Sequence, residues 1–222
     1  MNVINAPGTA VLVFADRPLP RPLRGLTAVA VDDAAGPDPL DAAIGRYRRL
    51  VVVGGDADLA QVLTRLLRTD RLDIEVGYVP PRRTPATAAY DLPAGWRAAR
   101  RARRGIARPV PLIRDDAGTA LVGAGRWLPI DGATTLRGEG IVDDAALFDG
   151  DVTGVLIEPI GCAPGLRAGV PARRGRVRRW VTGRAAQLGT TGALVVRDGV
   201  CGSRTVKRST FYRHVDDWFV VR

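Results

Sequence analysis

The sequence predicts an α/β layer followed by a β-rich half. In the first 107 residues, short apolar runs alternate with helical patterns. After that point the chain consists of short segments rich in Val and Gly, interrupted by turns. We therefore expect a doubly wound, Rossmann-like α/β domain at residues 1–107 and a sandwich-like β domain at residues 108–222.

Four apolar runs in the first domain are predicted to be strands. They are short, rich in β-branched residues and do not alternate strictly between apolar and polar residues. This pattern is typical of strands that are buried on both faces of a parallel sheet. The runs lie at residues 10–14, 27–31, 50–53 and 74–79.

Helical patterns separate and follow these strands. One covers residues 39–48, and another covers 58–68, where Leu59, Leu63 and Leu66 recur at helical spacing. A helical stretch runs to Tyr90, and a very basic helix is predicted at 96–104. Residues 16–25 contain three prolines and cannot form a regular helix. The first two strands therefore either lie apart or are joined by an extended connection.

Composition limits the class of protein. No stretch of the 222 residues approaches the roughly 20 apolar residues of a membrane span. The first eight residues lack the features of a secretory leader, and the two cysteines, Cys162 and Cys201, are too few for a disulfide framework. We expect a cytoplasmic protein, and we expect Trp127, Trp180 and Trp218 to belong to the core of the β half.

The positive charge is concentrated in two blocks. The formal net charge is +10. Residues 82–108 carry 8 basic side chains against Asp91, and residues 173–213 carry 11 against Asp198. Such blocks suit contact with phosphates or with anionic lipid, so we allow for peripheral binding at the inner membrane surface. For any single arginine, a solvated surface position is the simpler interpretation.

The most informative motif follows the third predicted strand. Gly54, Gly55 and Asp56 stand between that strand and an amphipathic helix. Glycines at the carboxyl end of a parallel strand let main-chain N–H groups approach a phosphate, and the helix N-terminus favours negative charge. We therefore expect the turn to present bare main-chain amides to a phosphoryl group.

The segment VVVGGDADLAQVLTRLL resembles the lipid-kinase branch of the diacylglycerol-kinase and NAD-kinase superfamily, in which a strand leads into Gly-Gly-Asp-Gly-Thr and a helix. The outline continues in VGYVPPRRTPATAAYDLPAG and in RDGV at 197–200. The resemblance implies ATP and Mg²⁺ as cofactors, a lipid substrate and phosphoryl transfer to a lipid hydroxyl. It does not identify metal ligands, and it leaves a homodimer open.

The sequence departs from that family pattern at several positions. Ala57 replaces a glycine, and Asp58 places a carboxylate where the family has threonine. A carboxylate at a helix N-terminus caps the helix but repels a phosphate. Arg82, Arg83 and Thr84 stand where the family has a Gly-Thr-x-Asn-Asp loop, and Val200 stands where it has glutamate.

The resemblance implies two catalytic carboxylates, each with a simpler alternative. Asp56 would organise the phosphate site or accept the proton of the attacking hydroxyl, or it would be a turn residue that caps the next helix. Asp198 would be its partner, or a β-turn residue between two strands. Gly54, Gly55, Asp56, Ala57, Arg82, Arg83 and Thr84 would bind the nucleotide, the arginines by bidentate contact.

Two functions follow. The first is a diacylglycerol-kinase-like enzyme with nucleotide and lipid substrates. The second is a catalytically impaired relative that binds an anion or a lipid surface, which the changes at Ala57, Asp58 and Val200 favour. Nucleic-acid binding is a weaker alternative, because the sequence contains no recognisable reading helix or aromatic RNA motif.

Overall fold

A computed structural model of the chain describes residues 8–31, 38–172 and 175–222. The chain divides into two compact units. Unit 1 comprises residues 1–110 and 216–222, and unit 2 comprises residues 111–215. The sequence placed the division at 107/108 and assigned the whole C-terminus to the second part, whereas the last seven residues belong to unit 1.

Unit 1 is an α/β layer, as predicted. Its first two strands and first two helices lie close to their predicted positions. Its elements are β1 (Thr9–Phe14), a 3₁₀ turn (Arg21–Leu23), β2 (Thr27–Val31), α1 (Asp38–Arg46), β3 (Arg49–Val53), α2 (Asp56–Arg68), β4 (Glu75–Val79), α3 (Pro85–Ala89) and α4 (Gly95–Arg104).

The strands of unit 1 form a parallel sheet in the order β2, β1, β3, β4. Phe219 and Val220, near the chain's end, pair parallel to β4 and extend the sheet. β1 and β2 are adjacent, so of the two possibilities left by the prolines the extended connection is the correct one. Its regular part is the 3₁₀ turn at Arg21–Leu23.

Both faces of this sheet are covered. Val51 and Val53 belong to a core cluster with Ala98 and Ala102 of α4. The alternate residue Val52 is equally buried and projects from the opposite face by the pleat. Burial on both faces explains why these strands are continuous apolar runs.

α4 approaches β4 closely and is held at its C-terminal end. A Cβ added to Gly77 would lie 2.7 Å from the Cβ of Ala102, so only glycine permits this approach. The Arg49 guanidinium donates to the carbonyls of Ala102, Arg103 and Gly105 at 3.3, 3.3 and 3.1 Å and to Glu75 at 2.6 Å. These bonds satisfy carbonyls that a helix end leaves without intrahelical partners.

Unit 2 consists of antiparallel strands, which agrees with the predicted β-rich half. The strands that form it, two of which continue into unit 1, are β5 (Ala107–Asp115), β6 (Ala120–Leu121), β7 (Gly125–Leu128), β8 (Leu136–Val142), β9 (Ala145–Val152), β10 (Val155–Pro159), β11 (Leu166–Gly169), β12 (Val181–Gly183), β13 (Ala185–Arg197), β14 (Val200–Cys201) and β15 (Val206–Val221).

β13 is the central strand of unit 2. Its first half pairs with β8, which forms a hairpin with β9, and its second half pairs with β7. β10, β11 and β12 continue from β7 in that order. β13 also pairs with β15, with a register shift between Gly189 and Ala193.

The tryptophans divide between the two units. Trp127 is buried in the core of unit 2, where its Nε1 donates to Ser209 Oγ at 3.0 Å. Trp180 is only half-buried and lies under Arg167, whose guanidinium is 4.2 Å from the ring centroid. Trp218 is buried in unit 1 instead, edge-on to Tyr90 at 5.2 Å. The predicted place of Trp218 in the β half is wrong, because its strand ends beside β4.

Among the described residues, no helix has the length and apolar character needed to cross a membrane.

Candidate functional site

The candidate site lies at the carboxyl ends of β1 and β3. These strands are parallel neighbours in which Val13 is paired with Val53. Gly54 and Gly55 follow β3 and lead directly into α2, with Gly55 as the N-cap. Because parallel neighbours end at the same edge of a sheet, the turn after β1 lies beside the turn after β3.

The Asp58 side chain occupies the turn. Its Oδ2 accepts the N–H of Gly55 at 2.7 Å, the bond that an acidic side chain at the third helical position makes to an N-cap amide. A Cβ added to Gly54 would lie 2.5 Å from this oxygen. The expectation of bare amides therefore fails at Gly55, where the protein's own carboxylate takes the N–H group. Gly54 makes room for that carboxylate.

Arg17 completes this arrangement from the turn after β1. Its Nη1 donates to Asp58 Oδ2 at 3.0 Å and to the carbonyl of Phe14 at 3.1 Å. Ala15 and Asp16 have positive φ angles of 51° and 48°, a tight bend that brings Arg17 back over the sheet edge. The two side chains of this ion pair are 33% and 24% exposed, so water reaches it only in part.

Asp56 accepts hydrogen bonds from β4 and from the first turn of α3. Its Oδ1 accepts the hydroxyl of Tyr78 at 2.6 Å, and its Oδ2 accepts the N–H of Ala86 at 3.2 Å. Burial, followed by the hydrogen bond to Asp56, raises the pKa of the Tyr78 phenol well above its ordinary value. Both carboxylate oxygens of Asp56 thus connect α2 to β4 and α3.

Thr84, Arg82 and Arg83 fall into two groups. Thr84 is the N-cap of α3: its Oγ1 accepts the N–H of Thr87 at 3.2 Å, and Thr87 Oγ1 accepts the N–H of Thr84 at 2.9 Å. Arg82 and Arg83 are exposed and form no ion pair with any described residue. Their predicted contact with phosphate remains a prediction, as does nucleotide binding by Ala57, which is half-buried in the first turn of α2.

Asp198 belongs to unit 2, whereas Asp56 belongs to unit 1. Asp198 lies in the turn between β13 and β14 with a φ of 48°. Its carboxylate accepts the N–H groups of Val122, Gly123 and Ala124 at 3.1, 2.7 and 2.9 Å. These bonds hold the segment that leads into β7. Asp198 is therefore a turn residue between two strands, the simpler of its two predicted roles.

Comparison with known proteins identifies the fold. No protein-family model matches the sequence, and no curated protein matches it. A diacylglycerol kinase from Bacillus anthracis str. Sterne is 13% identical with a TM-score of 0.75, over 98% of this chain and 97% of that one. An NAD kinase from Archaeoglobus fulgidus, solved in complex with ATP, is 13% identical with a TM-score of 0.64, over 96% and 93% of the two chains.

The chain has the diacylglycerol-kinase and NAD-kinase fold. The resemblance seen in the sequence is confirmed at that level.

The turn of this kinase-like fold does not fit an ATP phosphate as it stands. A phosphate there would have to displace Asp58 from the Gly55 N–H group and from Arg17. Two negative charges about 4 Å apart near a protein surface repel each other by about 4 kcal/mol. A helix N-terminus stabilises an anion by only about 0.3–1 kcal/mol. Arg17 offsets part of the repulsion, but the amide remains occupied.

Three of the four carboxylate oxygens of Asp56 and Asp58 at this turn already have protein partners. Mg²⁺ prefers carboxylate and water oxygens in near-octahedral geometry. Both oxygens of Asp56 accept protein hydrogen bonds, and the Asp58 oxygen nearest the turn is paired with Arg17. Within the described ranges, no group of three or more His, Cys, Asp or Glu side chains is arranged to hold a metal ion.

Sequence reasoning missed Arg17 and Tyr78 as partners of the two acidic residues. Arg17 is 41 positions from Asp58, and Tyr78 is 22 positions from Asp56. The sequence signals were an arginine three residues after the first strand and a tyrosine near the end of the fourth. Neither signal points to its partner until the strand order is known.

Proposed function

We propose that this kinase-fold protein binds an anionic lipid surface and does not transfer the γ-phosphate of ATP. The observation that supports the absence of phosphoryl transfer is the hydrogen bond from the Gly55 N–H to Asp58, in the turn that the fold offers to a phosphate. A group that must first be displaced lowers apparent affinity by the free energy of displacing it. Here that group carries the same sign of charge as the ligand.

The engagement of Asp56 supports the same conclusion. A carboxylate that accepts a proton from an attacking hydroxyl needs an oxygen within hydrogen-bond reach of the substrate. Tyr78 and Ala86 take one oxygen each, and the Ala86 N–H group belongs to the first turn of α3. Each oxygen keeps a second lone pair, but the two bonds hold the carboxylate toward β4 and α3. Turning an oxygen away from them toward a substrate would leave one partner without its acceptor, which costs about 1–3 kcal/mol when the partner is buried.

Thermal unfolding with and without ATP and Mg²⁺ tests the proposal. A ligand at one hundred times its Kd adds about 2.7 kcal/mol of stability. We expect no shift for the wild-type protein and no ATP-dependent phosphorylation of diacylglycerol. A saturable shift together with lipid phosphorylation by the folded wild-type protein would refute the proposal.

Two variants distinguish occupation of the Gly55 amide from charge repulsion as the cause of ATP exclusion. Ala57→Gly combined with Asp58→Thr removes the carboxylate and the added Cβ, so ATP binding is expected to appear. Asp58→Asn is the matched control, since its amide oxygen still accepts the Gly55 N–H group without a charge. If occupation of the amide excludes ATP, Asp58→Asn remains without a shift; a shift in Asp58→Asn would assign the exclusion to charge alone.

Lipid phosphorylation with ATP is the second candidate. It is favoured by the Gly54-Gly55-Asp56 turn, which is retained between β3 and α2, and by a fold neighbour solved in complex with ATP. It requires Asp58 to leave the turn when the nucleotide binds. The assays above decide between the candidates, because only this one predicts turnover by the wild-type protein.

A further inference from the structure

α4 has two faces of opposite character. Ala98, Ala99 and Ala102 are buried against the sheet of unit 1. The exposed side of the helix carries arginines at positions that share a face in an α-helix: Arg97, Arg100, Arg101 and Arg104. The small residues bring the helix backbone close to the sheet, and the long cationic side chains all project into solvent.

These four arginines have no acidic partner among the residues that the structure describes. No ion pair to any of them occurs in the described ranges, whereas Arg17, Arg49 and Arg65 each pair with a carboxylate. Arg103, on the flank of the helix, is different, since its Nη1 donates to the Pro22 carbonyl at 2.6 Å. The outer face is thus a cluster of four like charges whose mutual repulsion is not offset by any described side chain.

Two large apolar side chains lie at the ends of this cluster. Trp96, in the first turn of α4, is 60% exposed, and Ile106, just beyond its last turn, is 66% exposed. The Arg97 guanidinium lies 6.0 Å from the centroid of the Trp96 ring. An exposed tryptophan beside basic residues is typical of a surface that meets the headgroup region of a bilayer, where one end of the ring is apolar and the other polar.

We propose that the outer face of α4, with Trp96 and Ile106, is the surface by which this protein docks on an anionic lipid bilayer. Arginine binds phosphate in a bidentate manner, and each basic residue near an anionic surface strengthens binding about fivefold. Trp96 and Ile106 enter the interface on either side of the arginines. The inference deepens the proposed function and rests on its claim of lipid-surface binding, but it does not depend on Asp58.

Charge alone would also suit a nucleic acid. The apolar residues favour the bilayer, because Ile106 has no flat ring on which a base could stack, and one exposed tryptophan makes a poor stacking platform. A bilayer, in contrast, takes up both side chains with a gain from apolar burial.

Vesicle sedimentation tests the docking surface. The full chain is mixed with phosphatidylcholine vesicles that contain either no phosphatidylglycerol or about one third of it. We expect binding only to the anionic vesicles, weakened by salt. Arg100→Gln with Arg104→Gln is expected to weaken binding about 30-fold. The matched control, Arg48→Gln with Arg68→Gln, removes two exposed arginines elsewhere in unit 1 and is expected to bind as the wild type does.

Fluorescence quenching by brominated lipid reports insertion directly. Wild-type fluorescence is expected to fall on anionic brominated vesicles, and Trp96→Phe is expected to abolish that fall, although Trp127, Trp180 and Trp218 remain. Absence of binding to anionic vesicles, or equal loss in the control variant, would overturn the inference. So would tighter binding to a single-stranded oligonucleotide than to vesicles, lost in the Arg100 and Arg104 variant.

The two proposals fail separately. The Ala57→Gly, Asp58→Thr variant changes no residue of α4, so it is expected to bind vesicles as the wild type does. ATP turnover with intact vesicle binding would refute the non-catalytic part of the proposed function alone. Vesicle binding that survives the Arg100→Gln, Arg104→Gln substitutions would refute the docking surface alone, whereas a wild-type protein that does not bind anionic vesicles would refute both.

Discussion

Asp58 Oδ2 lies 2.7 Å from the Gly55 nitrogen, so the carboxylate of the third residue of α2 closes the turn that precedes the helix. Arg17 reaches the same oxygen from the turn after β1 and balances its charge. The strand, turn and helix belong to a kinase-like fold, and the Gly55 N–H group in the turn has an internal partner. Each element of this arrangement can be tested by substitution.

Asp58→Ala is expected to lower the free energy of unfolding by about 1–2 kcal/mol, because it removes a cap and a half-buried ion pair. Urea denaturation of the purified chain measures the loss. Gln61→Ala is the control, since Gln61 is exposed on the same helix and is expected to change stability by less than about 0.5 kcal/mol. Equal effects of the two substitutions would show that Asp58 does not hold the turn.

Gly54→Ala is expected to destabilise the protein by about 1–3 kcal/mol, because the new Cβ would lie 2.5 Å from Asp58 Oδ2 and 2.8 Å from Asp58 Cβ. In an Asp58→Ala background the cost is expected to shrink, and a double-mutant cycle measures the coupling. Gly45→Ala is the contrasting control: Gly45 is a helical residue of α1 with open space around it, and alanine there is expected to stabilise the protein.

Tyr78→Phe removes the hydroxyl that donates to Asp56 and is expected to cost about 2 kcal/mol at neutral pH. The pKa of Tyr78 is raised in the folded protein, so its contribution is complete below pH about 10 and is lost as the pH rises further. The wild type is therefore expected to lose stability more steeply than Tyr78→Phe above pH about 10, by at most about 1.4 kcal/mol per pH unit. An equal difference in the free energy of unfolding between the wild type and Tyr78→Phe at pH 8 and at pH 11 would contradict this.

Asp198→Ala is expected to destabilise unit 2 by about 2–4 kcal/mol, because three main-chain N–H groups lose their acceptor. Asp144→Ala is the control at an exposed position of the same unit. Thermal denaturation followed by near-ultraviolet circular dichroism, to which the buried Trp127 contributes, measures the difference. A variant of unchanged stability would instead reopen a chemical role for Asp198.

The sequence of strands and helices along the chain, and their approximate bounds, could be predicted from the amino-acid sequence. β1, β2 and α2 lie within two residues of their predicted bounds because apolar residues recur with the periods of strand and helix. The kinase-like fold could be predicted as well, since Gly54, Gly55 and Asp56 stand between a strand and an amphipathic helix in a segment that resembles the family pattern. The conflict between the Asp58 carboxylate and a phosphate could also be predicted, because a carboxylate at a helix N-terminus caps the helix and repels an anion in any tertiary structure.

The partners of these residues could be known only from the tertiary structure. Arg17 meets Asp58 because β1 and β3 are adjacent, and Trp218 lies against Tyr90 because the end of β15 pairs with β4. Periodicity along the chain records which face of an element is apolar, not which element will cover it. The sequence by itself thus determined the elements and the acidic turn, and the order of the strands decided which cation would pair with Asp58 and which cations would be left facing solvent.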